Sequence, residues 1–304
     1  MRIRAVESVE EIRSVLTDAH WRVRPPGNEV PIGFRGSLAG DVFASFARMT
    51  DGDDHPRRKQ LAVDLIDSLD LNAIPMLTGD IVRRLHAAHP YDLQFLVPGM
   101  VVSALLGVPE SRQRLVVEQV RTLVIAVRPA ASAADHAAAI EGISRTVPVI
   151  ADTLAVGDRD DIDVIASRIS LVFQASDACA ALIGNALVLL SEAGDPFSAS
   201  ARDIVRASMR DRIPVRSTSR FQANETAVLD LEAAHRQHPN AEWTFGFGPH
   251  ACPARSIAVA IAVACIDAVI SQRPFDPSAV RSTGREDLPN VWIPILTLET
   301  EHAT

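Results

Sequence analysis

The sequence predicts a mainly α fold in a single domain with a small β portion, and three observations carry that prediction. Apolar residues make up 47% of the 304 positions, enough to build a sizeable core. They recur at helical spacing through most of the chain, while a single stretch alternates as a strand does. No internal repeat, low-complexity tract or linker divides the chain, so residues 1–304 read as one unit. The formal net charge of -8 leaves no global basic excess, which argues against nucleic acid as a partner. Cys179, Cys252 and Cys265 are sparse and lack CxxC spacing, the usage of a reducing, cytoplasmic compartment. The start, MRIRAVESVEEIRSVL, is too charged for a signal peptide. The apolar stretch from Ile169 to Leu190 is long enough for a bilayer, but Gln174, Asp177 and Asn185 within it favour a buried helix and no membrane.

In chain order, Val9 to Leu16 is an amphipathic helix with Ser8 and Glu11 as a capping box, followed by the breaker run Arg24-Pro25-Pro26-Gly27-Asn28. The rest of residues 1–42 carries no assignment. HPRRKQLAVDLIDSL, from His55, places Leu61, Leu65 and Leu69 on one stripe, with His55 and Lys59 one turn apart on a neighbouring face. LVPGMVVSALLGVPE, residues 96–110, is a short apolar helix closed by Gly107 and Pro109. Residues 111–156 read as two helices separated at Ala130 to Ala134. Asp161 to Glu192 reads as one helix of about thirty residues without proline, an element that crosses the centre of the molecule. A helix from Ala201 to Arg212 leads into the strand IPVRSTSRF, and a compact loop precedes Trp243. After Cys252, ARSIAVAIAVACIDAVI sets Ile257, Ile261, Ala264 and Ala268 on one closely packing face.

The chemistry concentrates in Phe245-Gly246-Phe247-Gly248-Pro249-His250-Ala251-Cys252, immediately before that helix. Two glycines let the backbone turn tightly, and a Cys at a helix start has its thiolate favoured by free N–H groups, which suits a metal ligand. Three other uses compete. A phosphate cradle lacks the strand, turn and helix order it needs. A zinc set of His235, His238, His250 and Cys252 has irregular spacing and no second Cys. An inert buried Cys leaves the glycine loop without a purpose.

FGFGPHAC is similar to the haem-binding loop of the cytochrome P-450 superfamily, bacterial soluble type, and other segments carry the resemblance in the family's order from about residue 43 to 300. HPRRK resembles the His-x-x-x-Arg helix start, and LVPGMVVSALLGVPE the helix ending in Leu-Leu-Gly-Val-Pro. QASDACAALIGNALVLL resembles the long central helix over the haem. ASMRDRIPVRSTSR resembles the helix and strand around Glu-x-x-Arg, and LEAAHRQHP the Ala-Ala-Asn-Arg-Asp-Pro stretch. The resemblance implies a single haem-binding domain with haem b (iron protoporphyrin IX), Cys252 as the metal ligand, and His55, Lys59, Arg220 and His250 on the two haem propionates. Arg58 is an alternative to Lys59 in that role. Phe245, Gly246 and Gly248 complete the cofactor loop, with glycine backbone N–H groups expected near the sulfur.

The chain departs from the family in three ways. It is short: the N-terminal sheet and first helix have no obvious counterpart in residues 1–42, and the stretch between Arg220 and Phe245 is compressed. Asp177 and Ala178 stand where the family has an acid followed by Thr, so Asp177 is the remaining candidate for proton handling; its alternative use is to face a neighbouring Arg. Ala207 stands at the Glu of Glu-x-x-Arg, which predicts a buried Arg210 that turns to Asp203 or another acid. The walls of the pocket are expected from residues 40–54, the helices between 111 and 156, Phe173 to Cys179 and Pro214 to Thr218.

The resemblance thus implies a haem-thiolate oxidoreductase, a monooxygenase of a small apolar molecule in bacterial specialised metabolism. Its electron donor would be a ferredoxin-type acidic protein docking near Arg255, and it leaves room for a homo-oligomer. Ala178 and Ala207 favour a second reading, in which the iron enzyme runs on peroxide or performs rearrangement, dehydration or bond formation. A third is a non-catalytic haem or ligand-binding scaffold.

Overall fold

The computed structural model describes residues 2–86, 89–239, 243–286 and 288–299. The loop expected ahead of Trp243 falls on residues 240–242, and that part of the expectation lies outside the described residues. The chain begins with β1 (Arg2–Val6) and α1 (Val9–Thr17). Ser8 caps α1 by accepting the Glu11 N–H at 3.2 Å, but the Glu11 carboxylate pairs with Arg4 instead of closing the box. β1 runs parallel to β3 (Glu225–Asp230), which is antiparallel to β2 (Ser217–Gln222), giving a sheet of order β1-β3-β2. Residues 1–42 therefore contribute a strand and a helix to the fold. The strand escaped the sequence because Arg2, Ile3 and Arg4 lie on an edge with only Val6 buried, so no alternation marks it.

The helical body follows in order: α2 (Leu38–Ala44), α3 (Asp54–Asp67), α4 (Ile74–Leu85), α5 (Pro90–Phe95), α6 (Val97–Leu105), α7 (Glu110–Ala126), α8 (Ala133–Ala151), α9 (Ile162–Gln174), α10 (Asp177–Ser191) and α11 (Ala201–Asp211). After the sheet come α12 (Leu231–Gln237), α13 (Arg255–Gln272) and the hairpin of β4 (Val280–Arg285) with β5 (Pro294–Leu298). On α3 the inward stripe is His55, Ala62 and Ile66; Leu61, Leu65 and Leu69 are only partly buried, so the expected register is one position out. The inward placement of His55 explains the shift, because the polar side chain faces a cavity.

The central element is two helices, and this corrects the single thirty-residue helix. Ser176 has ψ −93°, its hydroxyl donates to the Val172 carbonyl at 3.4 Å, and Asp177 restarts the helix where a carboxylate suits the N-terminal dipole. Both halves are deeply buried, which accounts for their apolarity without a membrane. Gly184 admits the Gln94 side chain, whose amide donates to Ala180 and Pro294 carbonyls at 3.2 and 3.1 Å. Asn185 donates to the Arg212 carbonyl at 3.0 Å and ties α10 to the end of α11. α13 buries Ile257, Ile261, Ala264 and Ala268, the expected set; Ile257 and Ile261 border the cavity described below, and the helix also packs on α4 and α11.

Candidate functional site

A cavity of about 260 Å³ lies between α3, the α9–α10 break, β2 and the loop leading into α13. One wall is mostly aliphatic: Val102, Leu171, Ala175, Ala178 and Leu182, with Gln174 among them. The rest of the lining includes Phe245, Phe247 and Cys252 with Arg48, Lys59 and Arg220, and both His55 and His250 border the cavity. Among the described residues no Asp or Glu lines this cavity. Residues 40–54, 173–179 and 214–218 contribute as expected, but nothing from 111–156 does; α7 and α8 pair with each other, and Val102 of α6 lines the space instead.

The loop before α13 is held by its own backbone. Cys252 N–H donates to the Phe245 carbonyl at 2.8 Å, and Gly246 N–H to the Trp243 carbonyl at 3.3 Å. Gly246 (φ 74°) and Gly248 (φ 71°) are both left-handed, a conformation that disfavours any side chain. The Gly246 amide is thus engaged away from the sulfur. Gly248 lies outside the cavity lining, where a Cβ would come within 2.9 Å of the Leu16 carbonyl oxygen on α1. Gly248 thus seats the loop on α1. Burial pushes the Cys252 thiol up, against the opposing pull of the Ala254 N–H, Lys59 and Arg48.

The cations reach the cavity from three segments. Lys59 on α3 donates to the Ala251 carbonyl next to Cys252. Arg58, its alternative, turns away to Asp163 at 3.1 Å and to the Ala44 carbonyl and Thr50 hydroxyl at 2.7 and 2.9 Å. Arg220 on β2 is 3% exposed and donates to Thr218 Oγ1 and the Ser219 carbonyl, each at 3.0 Å. Burial, and then nearby Arg48, push its guanidinium down to about 9. The rings of His55 and His250 lie 4.1 Å apart, and His250 Nε2 is 3.5 Å from Asp51. Burial pushes His55 down to about 4, with the positive fields of His250 and Lys59 adding to it; burial lowers His250 as well, with Asp51 opposing. His55 Nε2, His250 Nδ1, Trp243 Nε1 and Thr244 Oγ1 are buried without a hydrogen-bond partner among the described residues, and all four side chains border the cavity. Arg48 was missed by sequence reasoning. It precedes α3 in a loop expected to line the pocket, but nothing in FASFARMT distinguishes it from a surface arginine.

Of the proposed proton-handling pair, Ala178 lines the cavity and Asp177 does not. Asp177 faces Arg128 at 3.2 Å, the alternative use of that carboxylate. Its carboxyl is nonetheless pushed up by burial, with Arg128 and Arg121 opposing. Arg210 is a correction: its side chain is 62% exposed and pairs with Asp211 at 2.7 Å, so no buried charge needs a replacement acid. Asp203 lies 3.6 Å from Arg206 instead. The region Arg210 would have braced is tied by His235, whose Nε2 bonds the Arg210 carbonyl at 2.7 Å, which also turns His235 away from any zinc set. Among the described residues no group of three His, Cys, Asp or Glu converges to hold a metal by itself, and Cys252 offers a single thiolate.

No family model and no curated protein matches the chain by sequence. Solved structures do match. The crystal structure of P450BioI in complex with hexadec-9Z-enoic acid ligated acyl carrier protein is similar at TM-score 0.75 and 18% identity, over 97% of this chain and 92% of that one. The crystal structure of CalO2 gives 0.73 and 18% over 97% and 90%. The cytochrome P450 enzyme CYP109B1 from Bacillus subtilis gives 0.68 and 14% over 97% and 92%. The chain has the cytochrome P450-like fold.

Proposed function

We propose that the chain is a haem-thiolate oxidoreductase acting on a small apolar molecule. The observation that carries the reading is the cavity wall on which the Cys252 thiol meets Arg48, Lys59 and Arg220, with His55 and His250 nitrogens left without partners. A flat ligand with two carboxylates and one open metal position fits that donor set: Cys252 for the metal, Arg220, Lys59, His55 and His250 for the carboxylates. When bound, haem supplies thiolate-supported oxidation chemistry that side chains lack. The chain's own contribution is to give the sulfur the Ala254 N–H and the fields of Lys59 and Arg48, and to present aliphatic side chains to the substrate. The fold supports this, and the biosynthetic setting of neighbours such as HmtT, involved in himastatin biosynthesis, supports a role in specialised metabolism. For an oxygen-dependent cycle, Arg202, Arg206 and Arg255 around the groove between α11 and α13 suit an acidic ferredoxin-type donor.

A second reading, peroxide-driven or non-monooxygenase chemistry, is favoured by one feature: no hydroxyl stands at Ala178, and Asp177 is committed to Arg128. Absorption spectroscopy of the ferric, dithionite-reduced and carbon monoxide forms tests both. A strongly red-shifted Soret band in the reduced complex, lost in Cys252→Ser, is expected. Protein that folds without taking up haem would reject both and leave a binding scaffold. Turnover with peroxide alone would select the second.

A further inference from the structure

Three polar residues interrupt the apolar run of the central element, and the fold accounts for two of them. Asp177 pairs with Arg128 at 3.2 Å, and Asn185 donates to the Arg212 carbonyl at 3.0 Å. Gln174, the last residue of α9, makes no side-chain hydrogen bond among the described residues. The buried glutamines of the fold are used differently. Gln94 donates to the Ala180 and Pro294 carbonyls, and Gln113 donates to the Val108 carbonyl while accepting from Arg84, each at 3.1 Å for Gln113. Gln174 is also exposed where its neighbours are not: residues 169–173 and 175–176 are all buried, and Gln174 lines the cavity, the space into which its side chain opens.

The rest of the lining from this element is Ser170, Leu171, Ala175, Ala178, Cys179 and Leu182. The Ser170 hydroxyl is engaged, donating to the Ser167 carbonyl at 2.8 Å, so the Gln174 amide is the one oxygen- and nitrogen-bearing group of that set, among the described residues, with no partner. None of the cations at the cavity bonds it: Lys59 donates to Ala251, Arg220 to Thr218 and Ser219, and Arg48 to Thr218. An amide carries no charge and offers both N–H donors and a carbonyl acceptor, which suits an uncharged oxygen function. A ligand without one would leave the amide unpaired once water is expelled, and that loss discriminates between otherwise similar molecules. Resting on the haem reading above, we infer that Gln174 binds a neutral carbonyl or hydroxyl carried by the substrate, so the substrate class is an apolar molecule with an uncharged oxygen function and not a bare hydrocarbon.

The test uses haem-loaded protein with 4-phenylbutan-2-one and butylbenzene, which differ by a carbonyl in place of a methylene. Affinity is read by calorimetry, and haem content by pyridine haemochrome absorbance. The ratio of ketone to hydrocarbon affinity should be about fivefold or more higher in the wild type than in Gln174→Leu. Haem content and the ligand-free ferric spectrum should be the same in both. Leu171→Met, a change of shape on the same element, should move the two affinities together and keep the wild-type ratio. An unchanged ratio in Gln174→Leu, an equal loss of the ratio in Leu171→Met, or binding of neither ligand by the wild type would each overturn the inference. A shifted ligand-free ferric spectrum in Gln174→Leu would overturn it too, by giving Gln174 to the cofactor. Failure of the haem reading itself is seen separately, as wild-type protein without haem absorbance before either ligand is added.

Discussion

The two faces of the cavity are built in opposite ways. The face around Cys252 is cationic, crowded with ring nitrogens that lack partners, and fixed by a loop whose backbone bonds are internal. The lining from the broken central element is mostly aliphatic and includes Ala178, while the neighbouring Asp177 pairs with Arg128. The first is expensive for the protein by itself and makes sense only toward a ligand; the second is an ordinary apolar surface that has shed reactive groups. On the proposed reading the first face would hold the cofactor, and of the chain's departures Ala178 lies on the second.

The largest expected effect tests the expensive face. Arg220 is buried, and among the described residues no carboxylate pairs with it directly, Asp51 reaching it only through its field, so Arg220→Met should do two opposite things. Haem retention should fall by at least tenfold, while the thermal midpoint of the haem-free protein rises by about 2–4 °C as a desolvated charge is removed. A fall in both would mean that Arg220 is a packing residue, and the contrast between the two faces would lose its basis. Within the same loop, Gly248→Ala should cost about 1–3 kcal/mol through its left-handed φ and the close Leu16 carbonyl, lowering the midpoint by several degrees. Haem affinity should hold once the protein is folded; a selective loss of haem would return Gly248 to the cofactor.

Much of this architecture is legible in the sequence where a segment has a strong local signal. The glycine turns of the FGFGPHAC loop, the helix pair around Ala130 and the buried α13 residues fall where the sequence puts them, because glycine placement and helical spacing are local properties. What fails depends on three-dimensional partners. The break at Ser176 arises from a hydroxyl bonding back to Val172, with no proline to announce it. β1 is a polar edge that becomes a strand by pairing with a segment more than two hundred residues away. The α3 stripe shifts because His55 faces a cavity, and Arg210 is outside the core because its segment is tied instead by His235. In the site, Cys252, His55, Lys59, Arg220 and His250 border one space, whereas Arg48 is recognisable only from burial.

The histidines sharpen the comparison through pH. His55 is held at about 4 in the folded protein against an ordinary 6.5, so below 6.5 the unfolded chain takes up a proton that the folded chain refuses. Its contribution is therefore unchanged above pH 6.5, and stability is lost as pH falls through the window from 6.5 to about 4. In haem-free protein, His55→Gln should flatten the fall in thermal midpoint across that window. An identical slope in the variant would mean that His55 is already open to solvent and protonates freely, and the buried cationic face would be less dry than its geometry implies.

The smallest effect is expected far from either face. Asp203 and Arg206 stand 3.6 Å apart with both side chains 69% exposed, a surface pair in which attraction is screened and ordering two long side chains costs nearly as much as it returns. Asp203→Asn should leave haem content unchanged and move the thermal midpoint by less than about 2 °C. The sequence pattern around Ala207 assigns Asp203 a charge-pairing role on α11, and the fold removes the need for it by placing Arg210 in solvent against Asp211. A clear loss of haem in Asp203→Asn would therefore mean that α11 is coupled to the cavity through contacts other than the His235 to Arg210 bond, and the division of labour between the two faces would have to extend to a third region.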